Sequence, residues 1–290
     1  MNGFLSIIKP PGMTSNDVVL AIRKQLPRGT RVGHAGTLDP EAAGVLPIMI
    51  GKATRLFDFL ADKTKEYIAE WIPGIATDTL DIYGKIVGQE EVSISDSVLI
   101  ETLSAFEGDI MQIPPMVSAL KRDGIRLYDL ARSGQVLDLP AREIHVDKIR
   151  ILRREPNGSA WLQITCGKGT YIRSLCRDIG NALQCKACMG TLIRTRVGGF
   201  TIDESSALEE IQDAAVIERH LIQMDQPLSH FPRLDFSEAQ EKRVRNGNPI
   251  PVTLPESFCS KPLRLYLKNE FCGVGIFDGQ QIRFLAMLSN

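Results

Sequence analysis

Nowhere among the 290 residues do eighteen apolar residues run together, so no membrane-crossing helix is expected. The first thirty residues lack the apolar core of a secretory leader, which predicts a cytoplasmic chain with no membrane partner. Histidine is scarce. His34, His145, His220 and His230 are scattered, with no H-E-x-x-H or comparable cluster, which argues against a metal enzyme. Six cysteines, at 166, 176, 185, 188, 259 and 272, form no regular framework, and a leaderless chain keeps its thiols reduced. Cys185 and Cys188 make one C-x-x-C. Without a second pair or two spaced histidines, they read as ordinary thiols rather than zinc or redox groups. Nucleotide signatures are missing as well. Gly44 and Gly51 before Lys52 are too widely spaced for a P-loop, and the turn from Gly167 to Gly169 lacks the third glycine of a dinucleotide fingerprint.

What remains is ordinary globular material, 43% hydrophobic and 24% charged, long enough for one large domain and a smaller one. The net charge of −1 hides an uneven distribution. Residues 142–200 carry eleven Lys/Arg against four Asp/Glu, residues 1–55 seven against three, and residues 56–115 three against twelve. Two basic blocks fit a phosphate-binding face, and equally a solvated surface.

Periodicity supplies the elements. "SNDVVLAIRKQL" opens on Ser15 and Asn16 and sets Val18, Val19 and Ile22 on one helical face. The glycines and prolines of "GHAGTLDPEAAGVLP", residues 33–47, predict a loop. "EYIAEWI" alternates as a strand, and "SDSVLIETLSAFEG" predicts a helix with Leu99, Leu103 and Phe106 inward and Gly108 at its end. "AWLQITCGKGT" reads as a strand running into a glycine turn. "YIRSLCRDIGNAL" then places Ile172, Leu175, Cys176, Ile179 and Leu183 on one helical face, with Arg173 near the helix start. The acidic stretch 203–221, with one Arg against six Asp/Glu, predicts a linker helix. From about Pro232, "LRLYL", "CGVGIF" and "IRFLAML" predict a small β domain. The expected domains are therefore 1–230 and 231–290.

Asp39 stands among small residues in that early loop. On spacing alone it either closes a turn, as Asp before Pro commonly does, or serves as a catalytic carboxylate, and both readings stay open.

Several further motifs occur in a telling order: "KPPGMTSNDVV", "GHAGTLDPEAAGVLPIMIGKATRL", "KEYIAEW" with "TDTLDIYGKI", "QIPPMVSALKRDGIRLYDLARSG", "CGKGTYIRSLCRDIG" and "TLIRTRVGGF". Together they cover most of the chain, and the chain resembles the bacterial TruB-type tRNA pseudouridine synthases. The resemblance implies an α+β fold with a mixed, mainly antiparallel sheet and flanking helices. The tail is similar to a PUA-type RNA-binding domain. It also implies an isomerase that converts uridine to pseudouridine at position 55 of the tRNA T loop, with no cofactor, no metal and no guide RNA, acting as a monomer on the T stem-loop. The family's catalytic aspartate falls on Asp39, its active-site tyrosine on Tyr67 and its active-site arginine on Arg173. His34, Tyr67, Tyr171 and Leu192 fall at substrate-binding positions. One departure stands out: after Leu192 the chain has Ile193 and then Arg194, where many members carry paired arginines, which removes one expected phosphate contact.

The residue types suit that chemistry. A carboxylate works as nucleophile or base only when ionised, and a guanidinium nearby favours that form, so Arg173 is the expected partner of Asp39. Lifting a base from its stack costs a few kcal/mol, and one aromatic platform returns about 1–3 kcal/mol, a role Tyr67 can fill. Its hydroxyl is also the family's proposed base for the C5 proton. Two other classes compete: a tRNA-binding folding factor in which catalysis is secondary, and a generic RNA-binding protein in which Asp39 only closes a loop.

Overall fold

The computed structural model describes residues 1–61, 64–118, 121–122, 125–127 and 137–288. Its strands through the first half are β1 (Gly3–Lys9), β2 (Val32–His34), β3 (Ala43–Ile50), β4 (Lys65–Pro73), β5 (Ile75–Thr77), β6 (Ile86–Gln89), β7 (Gly108–Gln112), β8 (Lys121–Arg122) and β9 (Ile125–Arg126). Then come β10 (Arg142–Arg154), β11 (Ala160–Cys166), β12 (Ala187–Val197), β13 (Phe200–Thr201), β14 (Ser206–Ala207), β15 (Arg233–Phe236), β16 (Ile250–Pro251), β17 (Pro262–Leu267), β18 (Glu270–Phe277) and β19 (Gln281–Met287). The helices are α1 (Ser15–Lys24), α2 (Phe57–Ala61), α3 (Asp96–Ser104), α4 (Ile172–Ala182), α5 (Ala214–Arg219) and α6 (Glu241–Arg245). The class is α+β, as expected. By internal contacts the chain divides into two compact units, one of residues 1–40, 45–61 and 198–290, the other of residues 41–44 and 62–197.

In the first unit, β1 is buried along nearly its whole length and pairs in parallel with β14, Ile7 opposite Ser206. Antiparallel β2 and β3 set His34 opposite Ile48, so residues 33–47 are not one loop. Strand pairing claims both ends and leaves 35–42 as the connection. Val18, Val19 and Ile22 of α1 pack on Leu5, Ile7, Ile48 and Ile50, and each such side chain contributes roughly 1.5–3 kcal/mol on burial. The helix is capped by Thr14, one residue before the expected Ser15. Asp17 N–H donates to Thr14 Oγ1 (3.1 Å) and Thr14 N–H donates to Asp17 Oδ2 (2.9 Å), a capping box.

The acidic stretch 203–221 is not a single helix. Ser206 and Ala207 are drawn into pairing with β1, Asp213 caps a new start by accepting from Val216 N–H (2.8 Å), and only Ala214–Arg219 is α-helical. Beyond it, five strands in the order β15-β17-β18-β19-β16 enclose their own core of Phe236, Val244, Leu265, Phe277 and Ile282. Arg55 Nη1 donates to the Met287 carbonyl (2.7 Å), and Tyr266 donates to Asp225 (2.6 Å), so this sheet is tied to earlier chain within the same unit.

In the second unit the antiparallel order is β12-β4-β11-β10-β7. Tyr67, Ala69 and Trp71 alternate on the buried face of β4, beside Leu162, Ile164 and Cys166 of β11. Helix α4 offers a matching stripe of Ile172, Leu175, Cys176 and Ile179, and Trp71 Nε1 donates to the Cys176 carbonyl (3.1 Å). Ala43 and Gly44 pair in parallel with Ile193 and Arg194. Gly44 has φ +108°, and a Cβ there would collide with the Arg194 carbonyl. Helix α3 ends at Ser104 with Ala105 as its C-cap, short of Gly108, whose φ of +96° instead opens β7.

Candidate active site

Asp39 is half-buried in the 35–42 connection, and the main chain on both sides of it is fixed. On one side Leu38 N–H donates to Ser15 Oγ (2.9 Å), and Ser15 donates back to the Leu38 carbonyl (3.2 Å). On the other, the Pro40 carbonyl accepts from Lys9 Nζ (2.8 Å) and from Gly12 N–H (3.0 Å). Lys9 is fully buried, and its ammonium also donates to the carbonyls of Pro10 (2.7 Å) and Met13 (2.6 Å). An ammonium carries three donors, and here each meets a carbonyl. A loop otherwise free to flex is thus bolted to β1 and α1. His34 is the last residue of β2, half-buried, five positions before Asp39.

The second unit gathers the other sequence-derived positions. Tyr67, 7% exposed, lies on β4 opposite Arg194 of β12, and Leu192 lies two positions earlier on the same face, opposite Ala69. Arg194 is 1% exposed and its guanidinium is hydrogen-bonded to the Tyr67 side chain. Burial pushes the Arg194 pKa down, and the attraction of Tyr67 opposes that shift. Arg194, the one arginine left where many members carry a pair, is therefore internal rather than a surface group. The inward alternation that places Tyr67 and Leu192 also turns Arg194 into the core.

Arg173 is the second residue of α4 and 4% exposed. Nη1 donates to the Thr79 carbonyl (3.0 Å), Nη2 donates to the Val117 carbonyl (2.9 Å), and Nε lies 3.8 Å from Asp81 Oδ2. Asp81 is a residue the sequence reading did not single out. Its Oδ1 accepts from Thr79 Oγ1 (2.8 Å) and Tyr83 N–H (3.2 Å), so it joins Arg173 to the 77–85 turn. Tyr171 precedes α4, and its backbone is held by the buried Gln112. Tyr171 N–H donates to Gln112 Oε1 (2.9 Å) and Gln112 Nε2 donates to the Tyr171 carbonyl (3.2 Å). Gln112 opens the "QIPP" motif. Of that motif's element, residues 119–120, 123–124 and 128–134 lie outside the described residues.

The basic block 142–200 divides by role. Arg173 and Arg194 are internal, whereas the more exposed Lys148 and Arg153 pair with Glu107 and Glu155. Burial pushes the thiols of Cys185 and Cys188 upward, Cys188 to about 11, which keeps both protonated near neutrality. Among the described residues no three His, Cys, Asp or Glu side chains gather as they would around a metal ion. No helix among them is long and apolar enough to cross a membrane.

Residues 23–172 match the N-terminal domain of the TruB family pseudouridylate synthases, and residues 173–231 match the tRNA pseudouridylate synthase B C-terminal domain. The chain is 44% identical over 283 residues to tRNA pseudouridine synthase B of Alkaliphilus oremlandii, covering 95% of this chain and 93% of that one. It is 42% identical to the protein of the same name from Clostridium kluyveri, over 99% of both. Among solved structures, a chain from a Cbf5-Nop10-Gar1 complex superposes with a TM-score of 0.74 at 25% identity, covering 98% of this chain and 84% of that one. With the ordered motifs, the α+β sheet and two matching family domains in agreement, the chain belongs to the TruB family of pseudouridylate synthases.

Proposed function

We propose that this chain isomerises uridine to pseudouridine in tRNA, at position 55 of the T loop. The observation that carries the reading is the near full-length match to relatives named tRNA pseudouridine synthase B. In the reaction the bond between ribose C1′ and base N1 breaks, the base turns, and C5 bonds to C1′ while its proton is lost and N1 gains one. Nothing is oxidised or reduced. Asp39 is the catalytic carboxylate, acting as nucleophile or base, and Arg173 is the arginine at the family's active-site position. The bolted loop supports that role, because a carboxylate held in place loses little freedom on reaching its geometry.

Tyr67 offers a ring on which the flipped base stacks and an oxygen that, as phenolate, takes the C5 proton. Arg194 donates to that oxygen from within the core, fixing its position and stabilising negative charge on it. His34, Tyr171 and Leu192 line the nucleotide's path. The catalytic part spans 1–230, the PUA-like part 231–290 adds RNA contacts, and the enzyme works in the cytoplasm as a monomer without a guide RNA.

The test is to incubate unmodified tRNA transcript with the wild-type protein and with Asp39→Asn and to map pseudouridine. Wild type is expected to modify position 55, and Asp39→Asn to lose at least about 100-fold in rate while still binding RNA. Equal modification by both removes Asp39 from catalysis. Binding without modification by either favours the folding-factor reading.

A further inference from the structure

We propose that Tyr83 is a stacking platform for an unpaired base of the RNA substrate, a recognition residue outside the catalytic set. This rests on the tRNA-modifying reading above. The turn that carries Tyr83 is heavily cross-linked. Thr77 Oγ1 donates to the Asp81 carbonyl (2.6 Å), Thr79 Oγ1 to Asp81 Oδ1 (2.8 Å), Tyr83 N–H to Asp81 Oδ1 (3.2 Å) and Lys85 N–H to Asp78 Oδ1 (2.8 Å). Ile82 N–H donates to the Met189 carbonyl of β12 (2.8 Å), and Leu80 takes a φ of +65°. Gly84 packs so closely on Thr79 and Asp78 that a Cβ there would collide with both side chains.

So rigid a turn would be expected to bury its apolar side chains, yet Tyr83 is 58% exposed and Ile82 36%. On β6, the strand that follows, Ile86 is 52% and Val87 64% exposed. Four exposed apolar side chains within six residues suit an interaction site. Three features select a nucleobase as its occupant. An aromatic ring on a rigid support loses little entropy when a flat partner stacks on it. The exposed Lys85 is the turn's one cation and can meet a phosphate, while the carboxylates of Asp78 and Asp81 are engaged by donors within the turn and by Arg173. The turn is also continuous with the candidate active site, because Arg173 holds the Thr79 carbonyl and faces Asp81.

The experiment measures KM and kcat for pseudouridine formation on full-length tRNA transcript, and Kd by filter binding, for wild type and for Tyr83→Ala, Tyr83→Leu and Tyr83→Phe. Tyr83→Ala is expected to raise KM and Kd about tenfold, with the effect falling on KM rather than kcat. Tyr83→Phe should match wild type, and Tyr83→Leu should fall between. An active wild type with unchanged KM and Kd in Tyr83→Ala overturns the proposal. So does equal loss in Tyr83→Phe and Tyr83→Leu, which also decides the matter should the alanine variant fold poorly. A wild-type dimer that Tyr83→Ala converts to monomer in sedimentation would assign the surface to a second copy instead. If wild type forms no pseudouridine, the reaction reading falls separately, and the Kd series alone still judges Tyr83.

Discussion

The loop that carries Asp39 in the first unit and the helix start that carries Arg173 in the second each depend on a buried cation, but the cation does different work in the two places. Lys9 is not near the chemistry in sequence. It satisfies three carbonyls, one of them thirty-one residues away, and so fixes the backbone beside an acid that sits in no regular element. Arg173 is itself the candidate functional group, and its support comes from α4 and from the carbonyls of Thr79 and Val117. A loop residue is therefore placed by its neighbours' main chain, whereas a residue on a helix or strand is placed by the element and can spend its side chain on the site.

Removing Lys9 tests the first half of that contrast and carries the largest expected effect. Lys9→Met takes the ammonium from three carbonyls, of which Pro40 alone keeps the bond from Gly12 N–H, and is expected to cost about 3 kcal/mol, lowering the melting temperature by roughly 6–12 °C. Circular dichroism melts check this. A wild-type melting temperature in the variant would mean the loop has another anchor.

The second half is sharpened by a double-mutant cycle on Tyr67 and Arg194. Tyr67→Phe strands a buried guanidinium donor at about 1–3 kcal/mol, and Arg194→Leu in that background should recover part of the loss. A coupling of roughly 0.5–3 kcal/mol from urea unfolding is expected. Strict additivity would show that β4 and β12 hold the tyrosine without help.

A surface pair in the second unit sets the lower end. His145 Nδ1 lies 2.6 Å from Asp109 Oδ1 across β10 and β7, and that hydrogen bond raises the His145 pKa, with Asp109 and Asp147 adding charge attraction. Because the folded pKa is raised, its stabilisation is complete below the unfolded value of about 6.5 and is lost as pH rises through the folded value. Melts at pH 5.5 and pH 8 should differ slightly more in wild type than in His145→Gln. An equal difference would show the exposed pair contributes nothing.

Much of the fold was legible in the sequence, and the misses share a cause. The helix α4, the strands β4 and β11 and the C-terminal strands follow from periodicity because their buried faces are complete within one element. Strands β2 and β3 were hidden inside a stretch that Gly44 and Pro47 made look like turn throughout, since pairing with distant strands is not written locally. The same holds for 203–221, where pairing with β1 outweighed helical composition. At the site, Asp39, Tyr67 and Arg173 were reached through ordered motifs rather than through spacing. The inward turn of Arg194 was not drawn from the sequence, although its alternation with Leu192 on a strand was the available signal. Asp81 lay in a quoted motif, and its position three residues before Gly84 was the available hint of a structured turn.

Gly44 has a consequence for anyone who would vary this sequence. Its backbone conformation and the carbonyl of Arg194 leave room for a hydrogen atom and nothing larger. In a randomised library that position would return a single letter, and the blank column would trace the close approach of two strands more sharply than any loss of activity among the polar residues around it.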